Sequence, residues 1–226
     1  MTPSPESMPR PFLNFHAHRP AASSAETVIR NYVFPQEQPE ETTPSGHPFS
    51  IGIHPWHIPH DIGTAWEELE RQAASPGCIA IGEAGIDKNT DTPVSRQAEL
   101  LLRHAELASA RHLPLVIHCV KAWNELMALK KDFPRTLPCV IHGFRGKPQL
   151  AGNLLSQGFH LSFGFRFNPQ SLLLCPPDRI FLETDEDPRP VEELYRTAAN
   201  LCGCTPEKLR TQCLGNLARI AQPSKK

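Results

Sequence analysis

Eight short apolar runs punctuate the chain and constrain its fold more than any other feature: PFLNFHAH, VIRNYVF, FSIGIHP, CIAIGEAGID, LPLVIHCV, PCVIHGF, FHLSFGF and RIFLETDE. Each is rich in Val, Ile or Phe. Several are near-continuous rather than alternating, which suits strands buried on both faces of a parallel sheet. Helical periods lie between the later runs, over residues 64–74, 93–112, 121–131, 148–157, 190–201 and 206–220. In the second of these, Val94, Ala98, Leu101, Leu102, Ala105 and Ala108 share one face, with Thr92 as the N-cap and Pro93 at the first helical position. Gly158 and Gly203 stand where C-terminal caps belong, and Thr205-Pro206 opens the last helix. Strands alternating with helices indicate βα units, and eight of them suggest a closed barrel.

The first two connections break that pattern. Residues 19–26 and 35–47 are rich in Pro, Ser, Thr and Glu, have no helical period and are short for a helical crossover. The expected fold is therefore α/β: a single trimmed (β/α)8 TIM-like barrel over residues 11–220, with irregular loops replacing its first two helices. A disordered segment (1–10) is expected before it and a flexible tail (221–226) after it.

At 226 residues the chain can bury a full core without disulfides. A formal net charge of -1 supplies no global field toward nucleic acid or membrane, so any polyanion site must be a local cluster. The 7 cysteines include no CxxC pair, and the polar, Pro-rich start MTPSPESMPRP does not read as a signal peptide. A cytoplasmic protein with reduced thiols is expected, without membrane association. No coiled-coil pattern appears, so a monomer is the default.

The chemistry begins at FHAH, residues 15–18. On a strand, His16 and His18 point to one side, toward the barrel axis if Phe15 and Ala17 point away. Two imidazoles side by side in an apolar core leave donors and acceptors to satisfy, and a divalent metal would take one nitrogen of each ring. Taken alone, the pair is equally well two hydrogen-bonded core histidines. Other strand ends add to it: Glu83 ends the fourth run, His118 the fifth, His142 the sixth and Asp185 the eighth. These are C-terminal strand ends, the face on which barrel active sites sit. Histidines and carboxylates converging there are hard to keep buried and ionised without a cation.

These residues, with GIHP (52–55), AIGEAGID (80–87), LPLVIH (113–118), HGFRG (142–146), SFG (162–164), ETD (183–185) and Asn216 of LGNLARI, resemble the TatD-like metal-dependent hydrolases, amidohydrolase-type TIM barrels. The resemblance implies a two-metal site. His16 and His18 would bind one ion with Asp185, His118 and His142 the other, and Glu83 would bridge them. Such a pair polarises a phosphoryl oxygen, activates water and stabilises the leaving oxygen. Asp185 would accept the proton of the water, and His54 would position the water or a phosphate oxygen. Asp87 would orient a ligand or the substrate, or else is a turn carboxylate. Mg, Mn and Zn all suit the ligand set.

Two positions depart from the family. Asn14 stands where an Asp is usual, and Val120 followed by Lys121 stands where an Arg is common. Phosphate contacts would come from Arg145 and Arg166, then Lys121 and Lys147. Trp56, Phe144 and Phe165 are candidates to stack on a base. His57 could line the pocket, and Cys119 is expected in the core. The implied activity is a metal-dependent phosphodiesterase, a TatD-like deoxyribonuclease acting on DNA ends. The alternatives are a hydrolase of a small phosphate ester, amide or lactone, and a non-catalytic metal-binding module.

Overall fold

The computed structural model describes residues 10–39 and 47–221. Most of the expected N-terminal segment (1–9) and of the tail (222–226) therefore lies outside the described residues. All eight apolar runs form strands: β1 (Phe12–Ala17), β2 (Glu26–Val33), β3 (Phe49–Gly52), β4 (Cys78–Asp87), β5 (Leu115–Val120), β6 (Cys139–Ile141), β7 (His160–Phe163) and β8 (Ile180–Leu182). They make one sheet in sequential order, every pair parallel. The seam between β8 and β1 is sewn just beyond β8 by Asp185. Its N–H donates to His16 O at 2.9 Å, and its carbonyl receives the His18 N–H at 3.4 Å.

Helices α1 (Gly63–Ala73), α2 (Val94–Arg111), α3 (Trp123–Leu129), α4 (Pro148–Ser156), α5 (Pro169–Leu174), α6 (Val191–Leu201) and α7 (Pro206–Ile220) follow the later strands. In α1, Trp66, Leu69 and Ala73 recur at helical spacing and are the buried positions. Thr205 caps α7 through its side chain, with Pro206 in the first turn, and Gly158 and Gly203 take positive φ after α4 and α6. The connection between β1 and β2 holds no helix. Neither does the described part of the next one, although residues 40–46 lie outside the described residues.

Two local expectations change. Helix α2 begins at Val94, so Pro93 takes the cap position in an extended conformation (φ -54°, ψ 137°) and Thr92 lies before it. Helix α5 carries no helical period long enough to read, though Asn168 caps it through its side chain and Pro169 opens it. On β1 the register against β2 shifts between Asn14 and Ala17, yet His16 and His18 face one side as expected, each within 4.0 Å of Asp185 Oδ1. Phe15 stacks on Phe181 of β8 with ring centroids 4.2 Å apart.

Strand β4 is the longest, at ten residues, and its two glycines let its neighbours approach. A Cβ on Gly85 would lie 1.8 Å from the His118 carbonyl oxygen, and one on Gly82, at φ +124°, would lie 2.3 Å from that of Val116. This tight β4–β5 pairing sets Gly85 directly across from His118. The His142 N–H then bonds Ile117 O at 3.1 Å, which brings the end of β6 beside the end of β5. All seven cysteines are unpaired, and Cys119 is buried. No described helix is long and apolar enough to cross a membrane.

Candidate metal centre

Glu83 is the hub of the C-terminal face. Its side chain is 3% exposed, and its two oxygens divide the histidines between them. Oε1 lies 2.6 Å from His118 Nδ1, 2.6 Å from His142 Nε2 and 3.3 Å from His54 Nε2. Oε2 lies 3.4 Å from His16 Nε2 and 3.8 Å from His18 Nε2. Asp185 Oδ1 completes the second group, 3.5 Å from His18 Nε2 and 4.0 Å from His16 Nε2. The six residues expected to ligate metal are thus brought together around Glu83.

Electrostatics keeps the hub charged. Burial works against ionising Glu83, but the His142 charge and the hydrogen bonds from His118 and His142 hold its pKa well below the ordinary carboxylate value. Burial depresses His142 too, and the Glu83 charge with the contact to Glu183 outweighs it, raising its pKa well above normal. For His18, burial is likewise overcome by the Asp185 hydrogen bond and the nearby carboxylate charges, so its pKa rises. Asp185 is drawn below its normal value against the effect of burial, first by the His18 hydrogen bond.

The donor set fits divalent ions. His16 is wholly buried, yet neither of its ring nitrogens has a hydrogen-bond partner among the described residues. A buried imidazole with an unpaired Nε2 beside an ionised carboxylate is costly unless a cation binds both. Among the described residues, three sets of side chains have ligand atoms close enough to share an ion: His16, His18 and Asp185; His16, Glu83 and His142; and His54, Glu83 and His118.

The third set is limited by tautomer. The Trp56 backbone N–H donates to His54 Nδ1 at 3.2 Å, which leaves the proton of neutral His54 on Nε2. Burial first of all lowers the His54 pKa, so the neutral form dominates. His54 therefore offers an N–H donor toward the centre rather than a lone pair.

The carboxylate partners of the rings lie one layer out. Asp87 is no surface turn residue: it is fully buried. Its Oδ2 accepts the Trp56 Nε1–H at 2.7 Å and lies 3.1 Å from His118 Nε2, while Oδ1 accepts the Asn89 N–H at 2.7 Å. Burial opposes the ionisation of Asp87, but these three contacts lower its pKa. Glu183 Oε1 lies 3.3 Å from His142 Nδ1 and accepts the Gly143 N–H at 2.6 Å. Asn31 accepts the Glu83 N–H and the Ser50 hydroxyl, each at 2.9 Å, and directs its own amide toward Glu83 Oε2 at 3.5 Å. Sequence reading assigned no role to Glu183 or Asn31. Glu183 sits within the quoted ETD, but nothing in VIRNYVF marks Asn31.

Asn14 touches none of the site histidines in a described contact. It accepts the Thr184 N–H at 2.9 Å and donates to Thr184 Oγ1 and Glu26 Oε1, each at 2.8 Å, bracing the backbone just before Asp185. Asp185 itself has φ 56°, a left-handed conformation that short polar side chains tolerate.

A cavity of ≈ 550 Å³ opens over the centre, lined among others by His18, His54, Trp56, His57, Arg145 and Asp185. A second, of ≈ 330 Å³, adjoins it and is lined by Arg145, Phe165, Arg166, Asp185 and Glu186 among others. Lys121 lines neither, and its Nζ donates to Asn89 Oδ1 at 2.9 Å. Phe144 is buried, and Phe165 lies under Arg189, whose guanidinium carbon is 3.7 Å from the ring centroid.

Residues 38–222 match the family model described as TatD related DNase. The uncharacterized metal-dependent hydrolase YcfH of Escherichia coli K12 is 30% identical over 198 residues, covering 76% of this chain and 72% of that protein. The 3'-5' ssDNA/RNA exonuclease TatD of Erwinia billingiae is 28% identical over 199 residues, 76% of each chain. Among solved structures, YJJV, a TatD homologue from Escherichia coli K12, superposes with a TM-score of 0.75 at 19% identity, covering 96% of this chain and all (100%) of that one. A TatD family hydrolase from Entamoeba histolytica gives 0.74 at 13% identity, with the same coverage. At such identities the structural likeness concerns the fold. The matched segment begins after β1, so His16 and His18 fall outside it; they reach the centre through the fold itself. This chain belongs to the TatD related DNase family of metal-dependent hydrolases.

Proposed function

We propose that this enzyme is a phosphodiesterase that removes nucleotides from single-stranded DNA ends at a centre of two divalent ions. The carrying observation is the division of labour at Glu83, with one oxygen facing His118 and His142 and the other facing His16 and His18. The name of the Erwinia billingiae relative supports the substrate class. In this reading His16, His18 and Asp185 hold one ion, His118 and His142 the other, and Glu83 both. When bound, Mg, Mn or Zn would supply Lewis-acid polarisation of the phosphoryl oxygen and activation of water.

The protein's own groups do the rest. Asp185, a third exposed at its side chain, accepts the proton of the attacking water, because it faces both the centre and solvent. His54 donates its Nε2–H to a phosphoryl oxygen. Arg145, which lines both cavities and has no described hydrogen bond or ion pair, holds a neighbouring phosphate. Arg166 serves the smaller cavity.

The test is turnover by metal-stripped protein reconstituted separately with Mg²⁺, Mn²⁺ and Zn²⁺. End-labelled single-stranded DNA is offered beside a panel of small phosphate esters, amides and lactones. Stepwise loss of nucleotides is the expected result. Turnover of one small-molecule class with no DNA cleavage would overturn the nuclease reading.

A further inference from the structure

An indole stands bare at the mouth of the candidate centre. Trp56 is 58% exposed, yet it is held firmly. Its Nε1–H is bonded to the buried Asp87 at 2.7 Å, and its backbone N–H to His54. Its ring meets His54 edge-on at 4.9 Å and lies 6.1 Å from His118. A scattered exposed apolar side chain needs no explanation. A tryptophan whose polar edge is anchored inside a catalytic cavity while its face stays open to solvent is a prepared surface. The other aromatic candidates are spent: Phe144 is buried, and Phe165 is covered by Arg189.

We propose that Trp56 is the platform on which an unpaired nucleobase stacks, beside the phosphodiester contacted by His54 and Arg145. This deepens the phosphodiesterase reading and takes the position of the phosphate from it. The chemistry suits a base of any identity, because every base offers a π-face. Among the described residues lining this cavity, Arg145 is the one arginine or lysine, so a single cationic side chain accompanies the stack. A base inside a duplex has both faces covered and cannot use the platform, so the site selects unstacked ends. The anchoring also links the platform to the centre, since Asp87 receives the indole N–H and faces His118 at once.

The test uses the full chain with divalent metal and a phosphorothioate-linked oligothymidylate, whose slow cleavage permits a binding measurement. An abasic oligomer of equal length and linkage is the control. Tryptophan emission should be quenched by the base-bearing oligomer and not by the abasic one, and the quenching should vanish in Trp56→Phe, which keeps Trp66 and Trp123. Affinity read by anisotropy should fall about 5- to 150-fold in Trp56→Ala. It should stay within a few-fold of wild type in Trp56→Phe, which keeps a ring but loses the bond to Asp87. Equal losses in both variants, equal quenching by both oligomers, or no quenching at all would overturn the stacking role. Base-dependent quenching without cleavage of ordinary DNA under any of the three metals leaves the platform standing and removes the phosphodiesterase reading. Equal cleavage of base-bearing and abasic oligomers does the reverse.

Discussion

His118 Nε2 lies 3.1 Å from Asp87 Oδ2, and this contact decides which ring nitrogen faces the cavity. With an ion bound, Nε2–H directed at Asp87 would free the Nδ1 lone pair from its bond to Glu83 for the ion. Asp87→Asn weakens that preference without touching the ligand set. Metal affinity, followed by titration of the stripped protein, should fall about 10- to 100-fold with an unchanged number of sites. Unchanged affinity and turnover would remove Asp87 from the positioning of His118.

Glu83 is a different case, because each of its oxygens serves one histidine group. On the two-metal reading, Glu83→Ala should abolish hydrolysis and lower the metal retained after dialysis from two ions per chain to one or none. Elemental analysis alongside a turnover assay checks both. Full metal-dependent turnover in this variant would sink the two-metal reading.

Arg145 reaches the cavity from the loop after β6 and carries no described ion pair. Arg145→Ala should raise the KM for a phosphorylated substrate about 10-fold or more, the scale of one lost charged hydrogen bond. The effect on kcat should be smaller, since the contact is made before and during the reaction alike. A KM that does not move would strike Arg145 from the phosphate contacts.

Much of the architecture was legible because it rests on long-range patterns. Eight Val/Ile/Phe-rich runs became eight strands, and all six helical periods fell within two residues of the helices they predict. The six candidate ligands were legible because they cluster in or just after the C-terminal halves of five strands, His16 and His18 sharing the end of β1 and Glu83 lying inside β4 rather than at its end. What the sequence hid was local or lateral. Six residues of α5 are too few to show a period. The shift on β1 depends on its pairing with β2, and Phe15 finds Phe181 across the barrel seam. Asn31 matters only because β2 and β3 align it with Ser50 beside Glu83. Asp87 was ambiguous because its burial comes from Trp56, Gln97 and His118, which lie on separate elements.

His104 on α2 provides a prediction about pH. Its Nδ1 lies 2.8 Å from Leu100 O, and its Nε2 accepts the Ile53 N–H at 3.0 Å. Burial depresses its pKa to about 4. The folded ring stays neutral while the unfolded one protonates near its ordinary 6.5. Stability from this group is therefore complete above that value and is lost as pH falls toward 4. Between pH 7 and pH 5 it should account for about 2 kcal/mol. Denaturant unfolding of His104→Gln should show a pH-dependent loss smaller by about that amount. An identical loss in variant and wild type would mean that the ring is already protonated in the fold.

The backbone of Asp185 fastens the last strand to the first at His16 and His18, and its carboxylate faces the same two rings. The clasp of the barrel and one corner of the candidate centre are a single residue. A molecule whose seam has parted can no longer present that carboxylate to the histidines, so closing the barrel and assembling this corner of the candidate centre are one event.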